Sequence, residues 1–84
     1  MKDLVNFIVS GIVEKPDKIE ISENSENEEI ILKLKVDPGD MGKVIGKNGQ
    51  TIRAIRTLIR TCAFRKNLKV RLLLEESENL DPKN

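Results

Sequence analysis

The sequence predicts an α+β domain: one three-stranded mixed sheet with three helices packed on one face, in the order α-β-β-α-α-β. Three observations carry this. Two stretches place apolar residues at spacings of three and four, three stretches alternate apolar with polar, and a pair of glycines punctuates the join between the second and third helices.

In the first stretch Leu4, Ile8 and Ile12, flanked by Val5, Val9 and Phe7, repeat with helical period, and Pro16 marks the stop. Ile19 and Ile21 alternate with Lys18, Glu20 and Ser22, as in a half-buried strand. The polar run Glu23 to Glu29 then reads as a hairpin loop. Ile30, Leu32, Leu34 and Val36 face one way and Ile31, Lys33 and Lys35 the other, giving the second strand of the hairpin. After Asp37-Pro38-Gly39, Asp40 is placed to cap a short helix over Met41 to Ile45. Gly46 and Gly49 bracket the next turn. From Gln50 the apolar positions Ile52, Ile55, Leu58, Ile59 and Cys62 oppose a face carrying Arg53, Arg56 and Arg60. Lys66-Asn67 break that pattern. Leu68, Val70, Leu72 and Leu74 alternate with Lys69, Arg71 and Leu73 as the third strand, and the strand-helix-helix-strand crossover makes strands two and three parallel. Residues 1–75 are thus the expected domain, and 76–84 an expected flexible acidic tail.

A chain of 84 residues holds one small domain. Its apolar share is 38% but its aromatic share only 2%, so the core must be aliphatic, with Phe7 and Phe64 in core-facing patterns. One cysteine, Cys62, excludes an intrachain disulfide and reads as a small buried hydrophobe in a reducing compartment. No apolar run approaches the roughly 20 residues of a membrane span, and Met1-Lys2-Asp3 does not open a signal peptide. The expectation is a soluble cytoplasmic protein without a membrane partner. The net charge of +1 hides a division: residues 1–40 hold five Lys/Arg against ten Asp/Glu, a net −5, and residues 41–84 hold ten against four, a net +6. From Lys43 to Arg71 no acidic residue interrupts the cations. Such a stretch suits a polyanion, or is simply a solvated helix face.

Gly46-Lys47-Asn48-Gly49 carries the chemistry. A Gly-x-x-Gly tetrapeptide is weak evidence alone, because glycines mark turns everywhere. Between two helices it leaves the main chain bare, so a phosphate-sugar backbone approaches closely while the following helix presents its N-terminus. Lys47 adds a charge at the tip, and Asn48 adds hydrogen-bonding capacity.

Val44-Ile45-Gly46-Lys47-Asn48-Gly49-Gln50-Thr51-Ile52 resembles the signature of KH domains, whose GxxG loop clamps about four single-stranded nucleotides. The element order is similar to the prokaryotic type II KH topology, and the run from Asp40 to Lys47 together with the chain length resembles the small bacterial single-KH proteins. That resemblance implies a cytoplasmic single-stranded RNA-binding protein, an RNA chaperone or post-transcriptional regulator. It further implies a larger KH-containing partner and a link to cell shape and cell wall biogenesis. Carried over by position, Gly46, Lys47, Asn48 and Gly49 grip the backbone. Val44, Ile45 and Ile52 contribute an apolar floor for bases, Arg53 and Arg56 extend the electrostatic track, and Lys43 guards the other side of the loop. Ile45 and Ile52 read equally as core, and either arginine as solvated. In type II domains the hairpin loop lies near the groove. Glu23 to Glu29 would therefore repel nucleic acid there, and with both phenylalanines assigned to the core, stacking on aromatics is not expected.

Other classes fare worse. Gly42-Lys43 is followed by Val44 rather than Ser or Thr, and the position five before Gly42 is Asp37, which excludes a P-loop. With no histidine, one cysteine and carboxylates mostly in loops and tail, we expect no enzyme, metal or cofactor. The alternative from another class is a KH-fold protein-interaction module with weak or no nucleic-acid binding. Ile31 and Leu73, on the otherwise polar sides of their strands, motivate it. Pairing of KH modules, as homodimer or heterodimer, is compatible with both readings. Single-stranded DNA stays open beside RNA, because no residue is assignable to a 2′-hydroxyl.

Overall fold

The computed structural model describes residues 1–75; the tail expected at 76–84 lies outside them. The order is α1 (Lys2–Ser10), β1 (Glu20–Glu26), β2 (Glu29–Lys35), α2 (Met41–Ile45), α3 (Gln50–Arg65) and β3 (Lys69–Leu74). This is the predicted α-β-β-α-α-β arrangement. The sheet runs β1-β2-β3, with β1 antiparallel and β3 parallel to the central β2. Leu32, Leu34, Val36, Val70 and Leu72 on one sheet face meet Val5 and Val9 of α1, Val44 of α2, and Ile52, Ile55, Ile59 and Ala63 of α3. This core is wholly aliphatic, so truncating a fully buried member such as Leu32 to alanine costs about 2–5 kcal/mol.

Several local expectations are corrected. α1 ends at Ser10 and Gly11 rather than running on to Pro16. Ile12 and Val13 keep the apolar spacing but sit in a turn, Val13 donating to Val9 O at 3.1 Å and remaining buried. The turn brings the N–H groups of Glu14 and Lys15 to the two carboxylate oxygens of Asp40, each at 3.1 Å. Asp40 therefore does not cap α2. It is 3% exposed and ties the segment after α1 to the base of α2.

The stretch Glu23 to Glu29 is mostly strand, not loop. Glu20 to Glu26 pair with Glu29 to Lys35, leaving Asn27-Glu28 as a two-residue turn with φ of 50° and 66°. Positive φ at both central residues is the type I′ pattern that matches strand twist. β1 is an edge strand held by backbone hydrogen bonds, with its residues beyond Ile21 exposed, so apolar alternation had no reason to mark its length.

Finally, the phenylalanines are outside. Phe7 is 76% and Phe64 81% exposed, Leu58 is exposed as well, and Cys62 is half-buried. The core position at that end of α3 is taken by Ala63. Ile31 and Leu73 are half-buried rather than a free patch, facing Arg71 and Lys33 respectively across the β2–β3 register.

Candidate nucleic-acid interface

The loop between α2 and α3 is shaped by its two glycines in different ways. Gly46 has φ 76° and ψ 171°, a region that only glycine occupies readily. A Cβ there would collide with the Thr51 side chain and lie 2.8 Å from the Thr51 backbone nitrogen. Gly46 is thus wedged under the first turn of α3. Gly49 is left-handed, at φ 74° and ψ 15°, but a Cβ on it would meet nothing within 4 Å. Its side is open to a ligand. Between them Lys47 and Asn48 are exposed, Asn48 with φ 55°.

The loop closes as a single tight turn, Gly49 donating to Gly46 O at 3.1 Å. By the geometry of a helical start, the N–H groups of Lys47 and Asn48 have no acceptor inside that turn. The 16 residues of α3 that follow place the positive end of their dipole at the same point.

Arg53 folds back so that its guanidinium donates to Asn48 O at 2.9 Å. It braces the loop and brings a charge beside it. One turn on, Arg56 Nε donates to Leu72 O of β3 at 3.1 Å, lacing the helix to the edge strand. Between α3 and β3 lies a cleft of about 360 Å³, lined by Glu29, Arg56, Arg60, Val70, Arg71, Leu72 and Leu73. Glu29 is ion-paired with Arg71 at 3.1 Å, so the one acid in this cleft faces its own counter-charge.

The other expected site residues divide. Val44 and Ile52 are buried and serve the core, whereas Ile45, 37% exposed, is the apolar side chain left to offer a ligand beside the loop. Lys43 lies 3.8 Å from Glu14 and 4.0 Å from Asp40, so its ammonium is shared between a carboxylate after α1 and one at the base of α2. Sequence reasoning placed Arg60 on the basic face of α3 but not among the candidate site residues, and it did not include the β3 wall that lines the cleft. The signal for Arg60 was present, since it follows Arg56 by four and repeats the face of Arg53 and Arg56. The wall followed from the strand order, because β2 with β1 on one side leaves β3 as the other edge.

The hairpin turn is not beside the loop. α3 spans about 24 Å at 1.5 Å per residue, and Glu29 lines the cleft toward its C-terminal end while the loop stands at its N-terminus. The acidic turn therefore sits at the far end of the cleft.

Among the described residues no group of three or more His, Cys, Asp or Glu is placed to hold a metal ion, and no helix is long and apolar enough to cross a membrane.

A family model described as the KH domain of KhpA/KhpB matches residues 2–74. The chain is similar to the RNA-binding protein KhpA of Clostridium perfringens, 49% identical over 70 residues that cover 83% of this chain and 93% of that protein. It is 45% identical over 76 residues to RNA-binding protein KhpA of Chlamydia trachomatis, covering 90% and 97% respectively. With RNA-binding protein KhpA of Halalkalibacterium halodurans it shares 40% identity over 72 residues, covering 86% and 95%. The glycine-bracketed loop, the parallel β2–β3 pair and these matches agree: the chain belongs to the KhpA/KhpB KH-domain family.

Proposed function

We propose that this protein binds single-stranded RNA, gripping the backbone of about four nucleotides with the loop Gly46 to Gly49 and leading the strand into the cleft between α3 and β3. The observation that carries the proposal is the loop itself. Its main chain is bare at Gly49, its leading N–H groups lack acceptors inside the turn, Lys47 stands exposed at the tip, and the head of α3 lies behind it. The names of the relatives support the same reading. Lys47, Asn48 and the two glycines hold phosphate and sugar, Arg60 continues the positive track, and Arg53 and Arg56 position the loop and the edge strand while adding charge. Ile45 offers a small apolar contact to a base. The role assigned to this arrangement is binding.

A single module of this size gains affinity and reach from a second one. We place the protein in the cytoplasm, as an RNA chaperone or post-transcriptional regulator working with a partner KH protein of the KhpB kind. The joint description of the matching family supports that pairing.

The test is a titration of single-stranded RNA into the wild type and a Lys47→Asp, Asn48→Asp double variant at 50 and 200 mM salt. With about three phosphates neutralised, log K falls with log salt at a slope of about −2, or roughly 15-fold between those conditions. The variant is expected to stay folded and lose at least about tenfold in affinity. Equal binding by both proteins overturns the loop assignment.

A further inference from the structure

We propose that the far end of the α3–β3 cleft is a base-stacking subsite, in which the ring of Phe64 receives a nucleobase of an RNA strand that has already passed the Gly46–Gly49 loop. This rests on the RNA-binding reading above and lengthens its footprint.

Phe64 is the most exposed large apolar side chain in the described structure, at 81%, and it does not stand alone. It opens onto a cavity of about 480 Å³ whose walls include Arg60, Thr61, Leu68, Lys69 and Val70. Leu68 is also exposed, so an apolar floor adjoins the ring.

Three observations select the occupant. The first is continuity, since Arg60, Val70 and Glu29 line both this cavity and the cleft that begins beside Arg56. Arg53, Arg56, Arg60 and Phe64 follow one another at spacings of three, four and four, which keeps them on one side of α3. A strand tracking the arginines therefore arrives at the ring. The second is charge. Arg60 and Lys69 flank the cavity, and the carboxylate of Glu29 is already 3.1 Å from Arg71. Cations around an exposed ring suit a polyanion with planar bases, and the exposed acids Glu26 and Glu28 of the hairpin turn, beyond Glu29, limit how far a strand runs past the ring.

The third is length. From Gly49 to Phe64 the helix rises about 22 Å at 1.5 Å per residue. At the roughly 3.4 Å per nucleotide of a strand stacked as in a duplex, that is about six to seven nucleotides, and fewer when the strand is extended. The ring thus lies beyond the reach of a stacked tetranucleotide held at the loop and within reach of a longer one. Stacking on a ring tolerates any base, so the subsite adds affinity without dictating sequence.

The experiment measures binding of oligoadenylate of four and of ten nucleotides to wild type, Phe64→Ala, Phe64→Tyr and the Lys47→Asp, Asn48→Asp variant. Sedimentation of each protein is recorded alongside. Because Phe64 is exposed, the alanine variant is expected to fold as the wild type does. The expected result is that Phe64→Ala binds the decanucleotide roughly 5- to 150-fold more weakly than wild type and loses clearly less on the tetranucleotide held at the loop, while Phe64→Tyr keeps the wild-type value. Comparing proteins at one RNA length removes the advantage that a longer strand has from offering more registers. A 2-aminopurine placed near one end of the decanucleotide should be quenched by wild type and not by Phe64→Ala.

If Phe64→Ala matches wild type on both lengths while the loop variant loses both, the subsite is overturned and the loop reading stands. If wild type binds neither RNA, the loop reading falls and the subsite with it. If Phe64→Ala changes sedimentation but not RNA affinity, the ring belongs to a protein interface and the proposal is overturned.

Discussion

Two tight turns in this chain have nearly the same backbone habit and opposite surfaces. The β1–β2 turn places Asn27 and Glu28 at φ 50° and 66°, and the α2–α3 loop places Gly46, Asn48 and Gly49 at φ 76°, 55° and 74°. Positive φ is therefore not what makes a binding loop. The hairpin turn reaches it with side-chain-bearing residues, surrounds itself with Glu26, Glu28 and Glu29, and ends as a connection between paired strands. The α2–α3 loop reaches it with Asn48 between two glycines, carries no acidic residue from Gly46 to Gly49, and stands at the head of a 16-residue helix. A left-handed turn is suited to an anion when its main chain is bare, its leading N–H groups lack acceptors inside the turn and its neighbours are cationic.

The sharpest way to break the comparison is Gly46→Ala. The alanine meets Thr51 and must adopt a region of backbone space that is essentially glycine's, so a loss of about 3 kcal/mol or more is expected, with RNA binding lost as α3 is displaced. Thermal unfolding followed by circular dichroism reads this as a drop in Tm of roughly 12 °C or more. Asp40→Ala comes next. It removes two hydrogen bonds to a buried carboxylate and should cost about 1.5–3 kcal/mol without changing the loop, measured by urea denaturation. The Lys47→Asp, Asn48→Asp pair should leave stability within about 0.5 kcal/mol while reducing affinity at least about tenfold.

Gly49→Ala separates the two glycines. With open space around its Cβ it bears only the left-handed penalty, about 1 kcal/mol, which is clearly less than Gly46→Ala. The smallest effect belongs to the other turn. Glu28→Gly converts it to Asn-Gly, the preferred type I′ pair, and should stabilise the fold by up to about 1 kcal/mol, with tetranucleotide binding unchanged. A rise in tetranucleotide affinity from Glu28→Gly would show that the two turns are not electrically separate.

The contrast also shows what could be read from residues alone. Period and punctuation were enough for six elements, the parallel pair and the loop, because core burial imposes its spacing on any element that has a buried face. Where no face is buried the pattern goes silent. β1 beyond Ile21 is exposed, and only its ladder to β2 makes it a strand. Asp40 stands where a cap is expected, and only the tertiary turn after α1 brings Glu14 and Lys15 to it. Phe64 shows a different failure. Ile52, Ile55 and Ile59 set a helical phase that reaches the core again at Ala63, so the ring one position on falls outside despite the core-facing pattern expected of it. Among the site residues, Val44 and Ile52 sit at the ends of elements that must close over the core, so packing claims them, while Ile45 points away.

The decisive property is where RNA touches the protein. Amide shifts of the nitrogen-15-labelled protein, recorded as decameric oligoadenylate is added, address this directly. The largest changes are expected at Gly46, Lys47, Asn48 and Gly49, continuing along Arg53 to Arg60 and Val70 to Leu72, with Ser22 and Asn24 of β1 unmoved. Changes centred on β1, the Asn27-Glu28 turn or α1, with the four loop amides still, would contradict it.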